Sequence, residues 1–329
     1  MLYHTTHLAG KDVITSASII VPDSPAPAGG RPVVGWAHPM TGAVARCAPS
    51  NGIDPFDLIE GMTELLHAGY VVAAADYPGM GVEGQSSYLV GVTEANSVLD
   101  SIRAARNLPD TGAGSDVILW GHSQGGQAAL FAGQQIKSYA PELTLRAVGV
   151  LAPATELVTL LDDHIADASG VTIGSLAFAA YVEVYQDRYP GLALDAVLTP
   201  AGVAATPAMS QLCLLGQYVA LRKIADPLIG KYIAQDPGTT EPWATLLKEN
   251  TPGGAPIGVP LFVGQGESDE LVKQAATTQY VTGVCAAGEH VVYQQYPKAT
   301  HGTIPTYAEK DAFAFFAAVL AGLTPASTC

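Results

Sequence analysis

The sequence is poor in charge, and above all in positive charge. Charged residues make up 14% of its 329 positions, and 15 Lys+Arg face 30 Asp+Glu, for a formal net charge of −15. Soluble domains average about 25% charged residues. A surface so short of cations repels phosphate backbones, which excludes nucleic-acid binding. Low charge raises the question of a membrane segment, but no suitable run exists. The longest uncharged stretch, residues 196–221, is interrupted by Pro200, Gly202, Pro207, Ser210, Gln211 and Gln217. A spanning helix needs about 20 mainly apolar residues. Nor does Met1-Leu2-Tyr3-His4 open a basic region followed by an apolar one, so no signal peptide is read here; an exported protein of this sequence would have lost its leader. Cys-x-x-Cys pairs are missing as well. The four cysteines stand alone at 47, 213, 285 and 329, which argues against a metal cluster. Two disulfides are the better reading and imply an oxidising compartment, with three pairings open. No cofactor is called for, and internal repeats are absent.

What is present is material for a large core. Hydrophobic residues reach 48%, and the length suits two domains or one large domain with an insertion. Asp12–Val21 and Pro32–Ala37 read as strands. Asp54-Pro55 is expected to open a helix, with Leu58, Met62, Leu65 and Leu66 on its apolar face and Gly69 closing it. Val71–Ala75 is a continuous apolar run, as in a strand buried on both faces. Helix is then expected over Thr93–Asn107, strand over Asp116–Trp120, helix over Gln124–Lys137 and strand over Ala147–Leu151. This alternation predicts an α/β architecture, a mostly parallel sheet with helices on both faces. From Pro153 to Gly258 the strand signals stop and helical stretches are broken by prolines. Strands resume at Val259–Gly264 and His290–Tyr296, and a helix follows Pro305. The expected organisation is a core over residues 1–152 and 259–329, with a helical insertion over 153–258.

Between one such strand and helix lies Gly121-His122-Ser123-Gln124-Gly125-Gly126, a G-x-S-x-G pattern in a strand–turn–helix setting. Side chains at Gly121 and Gly125 would collide with neighbouring backbone on so tight a turn. The turn lifts the Ser123 hydroxyl to a helix N-terminus, where the Gln124 N–H is free to stabilise an oxyanion. A serine nucleophile needs an acid and then a histidine later in the chain. Three acids follow the strand ending at Gly264: Glu267, Asp269 and Glu270. Asp269 is selected, because Glu267 falls early in the turn and Glu270 suits a first helical turn. Of eight histidines, His301, in the loop Ala299–Thr303, has the right order and setting for the general base; His122, beside the serine, should point away from it. Activity is then expected to decline below about pH 6.5, where an unperturbed imidazole protonates. A second oxyanion donor should come from the loop after Trp36-Ala37: Pro39 has no N–H, leaving Met40, Thr41 or Gly42. His38 reads as structural. Asp76, which precedes the serine, reads as a turn organiser.

Taken together, these segments resemble the secretory lipase family of α/β-hydrolases, in its lipase A-like branch. The resemblance rests on Arg46-Cys47-Ala48-Pro49-Ser50, Asp76-Tyr77-Pro78-Gly79-Met80-Gly81, Tyr88-Leu89-Val90-Gly91, the serine turn, the Asp269 turn and Thr300-His301-Gly302. It implies an α/β-hydrolase fold with an inserted helical lid and carboxylic ester hydrolysis through an acyl-enzyme. Ser123 would be the nucleophile, His301 the general base and Asp269 the orienting acid. It further implies secretion, the pairings Cys47–Cys213 and Cys285–Cys329, a small-molecule or lipid ester substrate, and transient contact with a lipid interface. The family has an acidic side chain near the position of Gly42. This sequence has none, so an esterase for shorter acyl chains is as compatible as a lipase.

Substrate choice is less legible. Tyr181, Tyr185 and Tyr189 are spaced to share one helix face, where they pack the insertion onto the core or line an apolar pocket. Acyl transfer, or a peptidase using Asp162-Asp163 to hold a substrate amino terminus, are the competing activities on the same fold.

Overall fold

The chain folds around a single eight-stranded sheet in a computed structural model that describes residues 1–329. Its strands are β1 (Leu2–Thr6), β2 (Asp12–Ile20), β3 (Arg31–Ala37), β4 (Val71–Ala75), β5 (Ala113–His122), β6 (Thr144–Leu151), β7 (Leu261–Gly266) and β8 (Val291–Tyr296). They lie in the order β1-β2-β4-β3-β5-β6-β7-β8. The pairs β1/β2 and β2/β4 are antiparallel and all others are parallel. Parallel strands must be covered on both faces, and the side chains of β5 show how. Val117 and Leu119 enter one buried cluster with Val98, Ile102 and Ile136, while Ile118 and Trp120 enter another with Phe315 and Phe316. The first cluster belongs to helices α2 (Gly91–Asn107), α3 (Gln124–Tyr139) and α9 (Gln274–Ala286); the second belongs to α1 (Met62–His67) and α10 (Ile304–Leu320).

Between β6 and β7 every regular element is helical: α4 (Leu157–His164), α5 (Ala168–Tyr185), α6 (Pro200–Ser210), α7 (Leu214–Ala225) and α8 (Trp243–Glu249), with short 3₁₀ turns between. These helices form their own core around Phe178, Tyr181, Tyr232 and Trp243, and Tyr88, Leu89 and Val90 of the sheet domain join it. By length and composition α5 could span a membrane, but 67% of it is buried inside the protein. The uncharged run 196–221 is divided between α6 and α7 at Gln211–Cys213; Pro200 opens α6, and Gly202 and Pro207 lie within it.

Three differences from the sequence reading have identifiable causes. The helix expected from Asp54 begins only at Met62. Asp54 caps a turn instead, accepting from the Phe56 N–H. Gly61 adopts a left-handed conformation (φ 72°) with the Phe313 ring where a Cβ would stand. Tyr189 lies beyond the end of α5, so only Tyr181 and Tyr185 share the helix, with ring centroids 5.5 Å apart. Strand β1 escaped detection because it is a five-residue edge strand whose only inward residues are Tyr3 and Thr5.

Candidate active site

Strand β5 ends and α3 begins at Ser123, which has φ 58° and ψ −120°. That is a costly conformation for a residue with a Cβ, and the surrounding packing must enforce it. A Cβ on Gly121 would lie 2.2 Å from the Gly125 carbonyl oxygen, and one on Gly125 would lie 1.9 Å from that of Ala37. Only glycine permits this approach, as the motif implied. The Ser123 N–H donates to Leu151 O (2.9 Å), and its carbonyl accepts from the Ala154 N–H (2.9 Å), which pins the turn to the end of β6. As the first residue of α3, Gln124 has a main-chain N–H without an intrahelical acceptor.

Three groups far apart in sequence meet here. The Ser123 hydroxyl and His301 Nε2 are 2.9 Å apart, and His301 Nδ1 and Asp269 Oδ2 are 2.8 Å apart. The Asp269 carboxylate is fully shielded. Its other oxygen accepts from the Leu271 and Val272 N–H groups, each at 2.8 Å. Glu267 and Glu270, its rivals in the sequence, point to solvent. Burial holds the His301 imidazole below its ordinary pKa, opposed by the hydrogen bond to Asp269. The neutral form therefore persists to lower pH than 6.5, which revises the acid limit read from the sequence. Asp76 is occupied elsewhere: it accepts from Ser16 Oγ (2.6 Å), from the Ser50 N–H (3.1 Å) and from the Ser50 hydroxyl. It ties β2 and the Pro49–Asn51 segment to the end of β4 rather than organising its own turn.

His122 Nδ1 is 2.7 Å from Glu60 Oε1, and its ring lies 4.8 Å from that of His301. His38 stacks on Tyr77 at 4.3 Å, and its carbonyl accepts from the Tyr77 hydroxyl. In the following loop the three candidate donors differ. Met40 lines the cavity above Ser123. Thr41 is buried, its hydroxyl has no partner, and its carbonyl accepts from the Leu214 N–H. Gly42 packs against the disulfide, where a Cβ would lie 2.6 Å from Cys47 Sγ. The disulfides are Cys47–Cys213 and Cys285–Cys329, which selects one of the three pairings that spacing left open.

A cavity of about 250 Å³ opens over Ser123 and His301. Its walls are Leu157, Leu160, Leu161, Ile173, Ala177, Phe178 and Tyr181 from the helical insertion, with Pro39, Met40 and Leu89 from the sheet domain. Asp162 and Asp163 are not among its lining residues, and Asp163 pairs with Lys273 at 2.8 Å. Two partners of the site were missed from sequence. His164 bridges Asp167 (2.6 Å) and the Leu271 carbonyl (2.7 Å), tying α4 to the Asp269 turn. Glu94, in the first turn of α2, accepts from Gln124 Nε2 at 2.7 Å. No spacing rule connects residues 30 or 107 positions apart, so neither contact had a signal.

The secretory lipase family model matches residues 58–327. Lipase A of Moesziomyces aphidis is 24% identical over 360 aligned residues, covering 99% of this chain and 73% of that protein. A probable inactive lipase of Mycobacterium tuberculosis is 24% identical, covering 90% of this chain and 67% of its own. Among solved structures, Candida antarctica lipase A superposes with a TM-score of 0.83 at 21% identity, over 100% of this chain and 78% of that one. That likeness shows the α/β-hydrolase fold.

Proposed function

The chain belongs to the secretory lipase family and is a serine ester hydrolase; from there we propose that Ser123, His301 and Asp269 carry the reaction, on apolar acyl esters of short to medium chain. The observation that carries this reading is the continuous relay from Asp269 Oδ2 through His301 to the Ser123 hydroxyl, at 2.8 and 2.9 Å, beneath an apolar cavity. The His301 Nδ1–H donates to Asp269, which leaves Nε2 to accept the serine proton as Oγ attacks the ester carbonyl. The resulting oxyanion takes the Gln124 N–H and an N–H from the Met40–Thr41 segment, and the unpartnered Thr41 hydroxyl is a further donor. Protonated His301 then gives its proton to the departing alkoxide, and the acyl-enzyme forms. Water, activated by the same imidazole, releases the acid.

Cavity size supports the chain-length assignment. About 250 Å³ lies just below the range of small-molecule pockets, which run roughly 300–1,000 Å³. No Asp, Glu, Lys or Arg lines it, so it suits an uncharged acyl chain and offers no anchor for a substrate amino group. The insertion over 153–258 serves as the lid. Leu215, Tyr218 and Val219 of α7 are exposed, next to Leu214 in the cavity wall, and suit transient contact with a lipid surface. Two disulfides and the family support secretion. The relative named as inactive does not change the reading, because here the serine, histidine and acid stand within hydrogen-bond reach. Hydrolysis rates on p-nitrophenyl esters from acetate to palmitate, below and above their solubility limits, test the proposal. A maximum at butyrate to octanoate is expected; a maximum at palmitate seen only in emulsions would replace it with a long-chain interfacial lipase.

A further inference from the structure

Glu94 is fully buried, and its two carboxyl oxygens have unlike surroundings. Oε1 accepts from the Leu89 N–H at 2.9 Å and from Gln124 Nε2 at 2.7 Å. Oε2 is buried with no partner. Both residues held by Oε1 face the substrate cavity. Gln124 follows the nucleophile, and Leu89 sits at a left-handed φ of 56°, a strained conformation for a branched residue. The Leu89 carbonyl is in turn held by the Tyr181 hydroxyl (3.1 Å) and by Gln127 Nε2 (3.5 Å). Glu94 thus joins the helix that starts at the oxyanion donor to the strained segment forming the cavity wall.

The groups around it say which protonation state does this. The titratable side chains coupled to its charge are Tyr77 after β4, Tyr88 before α2 and Tyr181 on α5, each held above its ordinary pKa first by burial, with the nearby Glu94 carboxyl adding to the rise. No cation is among them, and α3 presents only the amide of Gln124. A carboxylate here would be an uncompensated buried charge, whereas a protonated acid keeps both acceptor bonds on Oε1.

We propose that Glu94 is a positioning residue for the oxyanion side of the site: as a neutral acid it clamps Gln124 and the Leu89 peptide, and its ionisation disables turnover. Resting as it does on Ser123 being the nucleophile, this deepens the function proposed above. Burial raises the Glu94 carboxyl to about 8, so ionisation falls in an accessible range. The ionised form places a negative charge behind the position where the oxyanion develops, and that charge raises the barrier.

The experiment measures kcat and KM on p-nitrophenyl butyrate from pH 6 to 10 for the wild type, Glu94→Leu and Glu94→Gln. Active-site concentration is set by phosphonate titration, and folding by melting temperature. The wild type should lose about tenfold in kcat between pH 7 and 9, as the neutral fraction falls, with KM little changed. Glu94→Leu removes the acceptor and should lower kcat about tenfold or more at pH 7. Glu94→Gln keeps an acceptor oxygen but cannot ionise; it should recover most of that loss and show no alkaline fall. The proposal is overturned by a wild-type kcat flat to pH 10, by an unchanged alkaline limb in Glu94→Gln, or by full kcat in a folded Glu94→Leu. If Glu94→Leu does not fold, the alkaline limbs of the other two proteins decide. A wild type that neither turns over ester nor reacts with the phosphonate would instead refute the esterase reading.

Discussion

His122 packs its imidazole 4.8 Å from that of His301 while holding Glu60 through Nδ1 at 2.7 Å. The residue next to the nucleophile therefore borders the base and influences its charge. Burial and the proximity of His122 both disfavour the His301 cation; Asp269 and Glu60 favour it, and burial is the largest influence.

The sign of the pH dependence follows. His301 must be neutral to accept the serine proton, and its pKa is lowered, so the acid limb of kcat/KM should have its midpoint below 6.5. Replacing His122 with Asn removes one influence that lowers it and should move the limb upward. A wild-type midpoint at 6.5 or above, or a His122→Asn limb displaced to lower pH, would contradict this account.

Ser123→Ala removes the nucleophile and leaves the fold intact. A loss on the order of 10⁴-fold or more in kcat is expected, with KM little altered. Phosphonate labelling, followed by mass spectrometry, should disappear in the same variant. Retention of a tenth of the activity would reject the assignment.

Gly125→Ala should fail structurally. Its Cβ would stand 1.9 Å from the Ala37 carbonyl oxygen, a backbone atom that cannot swing aside. We expect destabilisation on the order of 4 kcal/mol, among the largest for a single methyl group. Thermal melting of the variant gives the answer, and a melting temperature within a degree or two of wild type would show the turn to be looser than described.

Ile173→Trp fills part of the cavity from a half-buried position in its wall. The ratio of octanoate to acetate hydrolysis should fall by about tenfold, while acetate hydrolysis changes little, because only the longer chain needs the volume. An unchanged ratio would place the acyl chain elsewhere.

No thiol should be alkylated in the native protein, since all four cysteines are paired. The Cys47–Cys213 bond closes a span of 166 residues and joins the loop after β3 to the helical insertion. Replacing both cysteines with Ser should cost about 2–5 kcal/mol in unfolding free energy. Chemical denaturation measures it, and an unchanged midpoint would count against a structural role for this bond.

Much of the site could be read along the chain because its chemistry is local. The serine turn announces itself through glycines within four residues of Ser123, where backbone meets backbone and nothing larger fits. Asp269 was legible as an acid just beyond a strand end and ahead of the histidine, but the first-turn role that set Glu270 aside is not there, because α9 begins only at Gln274. Strands such as Val71–Ala75 were legible from continuous apolarity, since a parallel strand has no solvent face. The helix expected from Asp54 was misplaced for the opposite reason: Gly61 and Phe313 meet only after α10 docks.

Residue order was enough for the elbow, the succession of serine, acid and histidine, and the α/β alternation, because each depends on neighbours within about ten positions or on chain direction. Cysteine spacing left the pairing open and only the family resemblance pointed to the pairs that form; folding in space alone set Glu94 behind Gln124, His164 beneath the Asp269 turn and Glu60 beside His122, and shifted the base by burying it. Those outcomes depend on desolvation and on contacts between segments 30 to 166 residues apart, and no periodicity in a linear chain encodes which distant side chains will exclude water together.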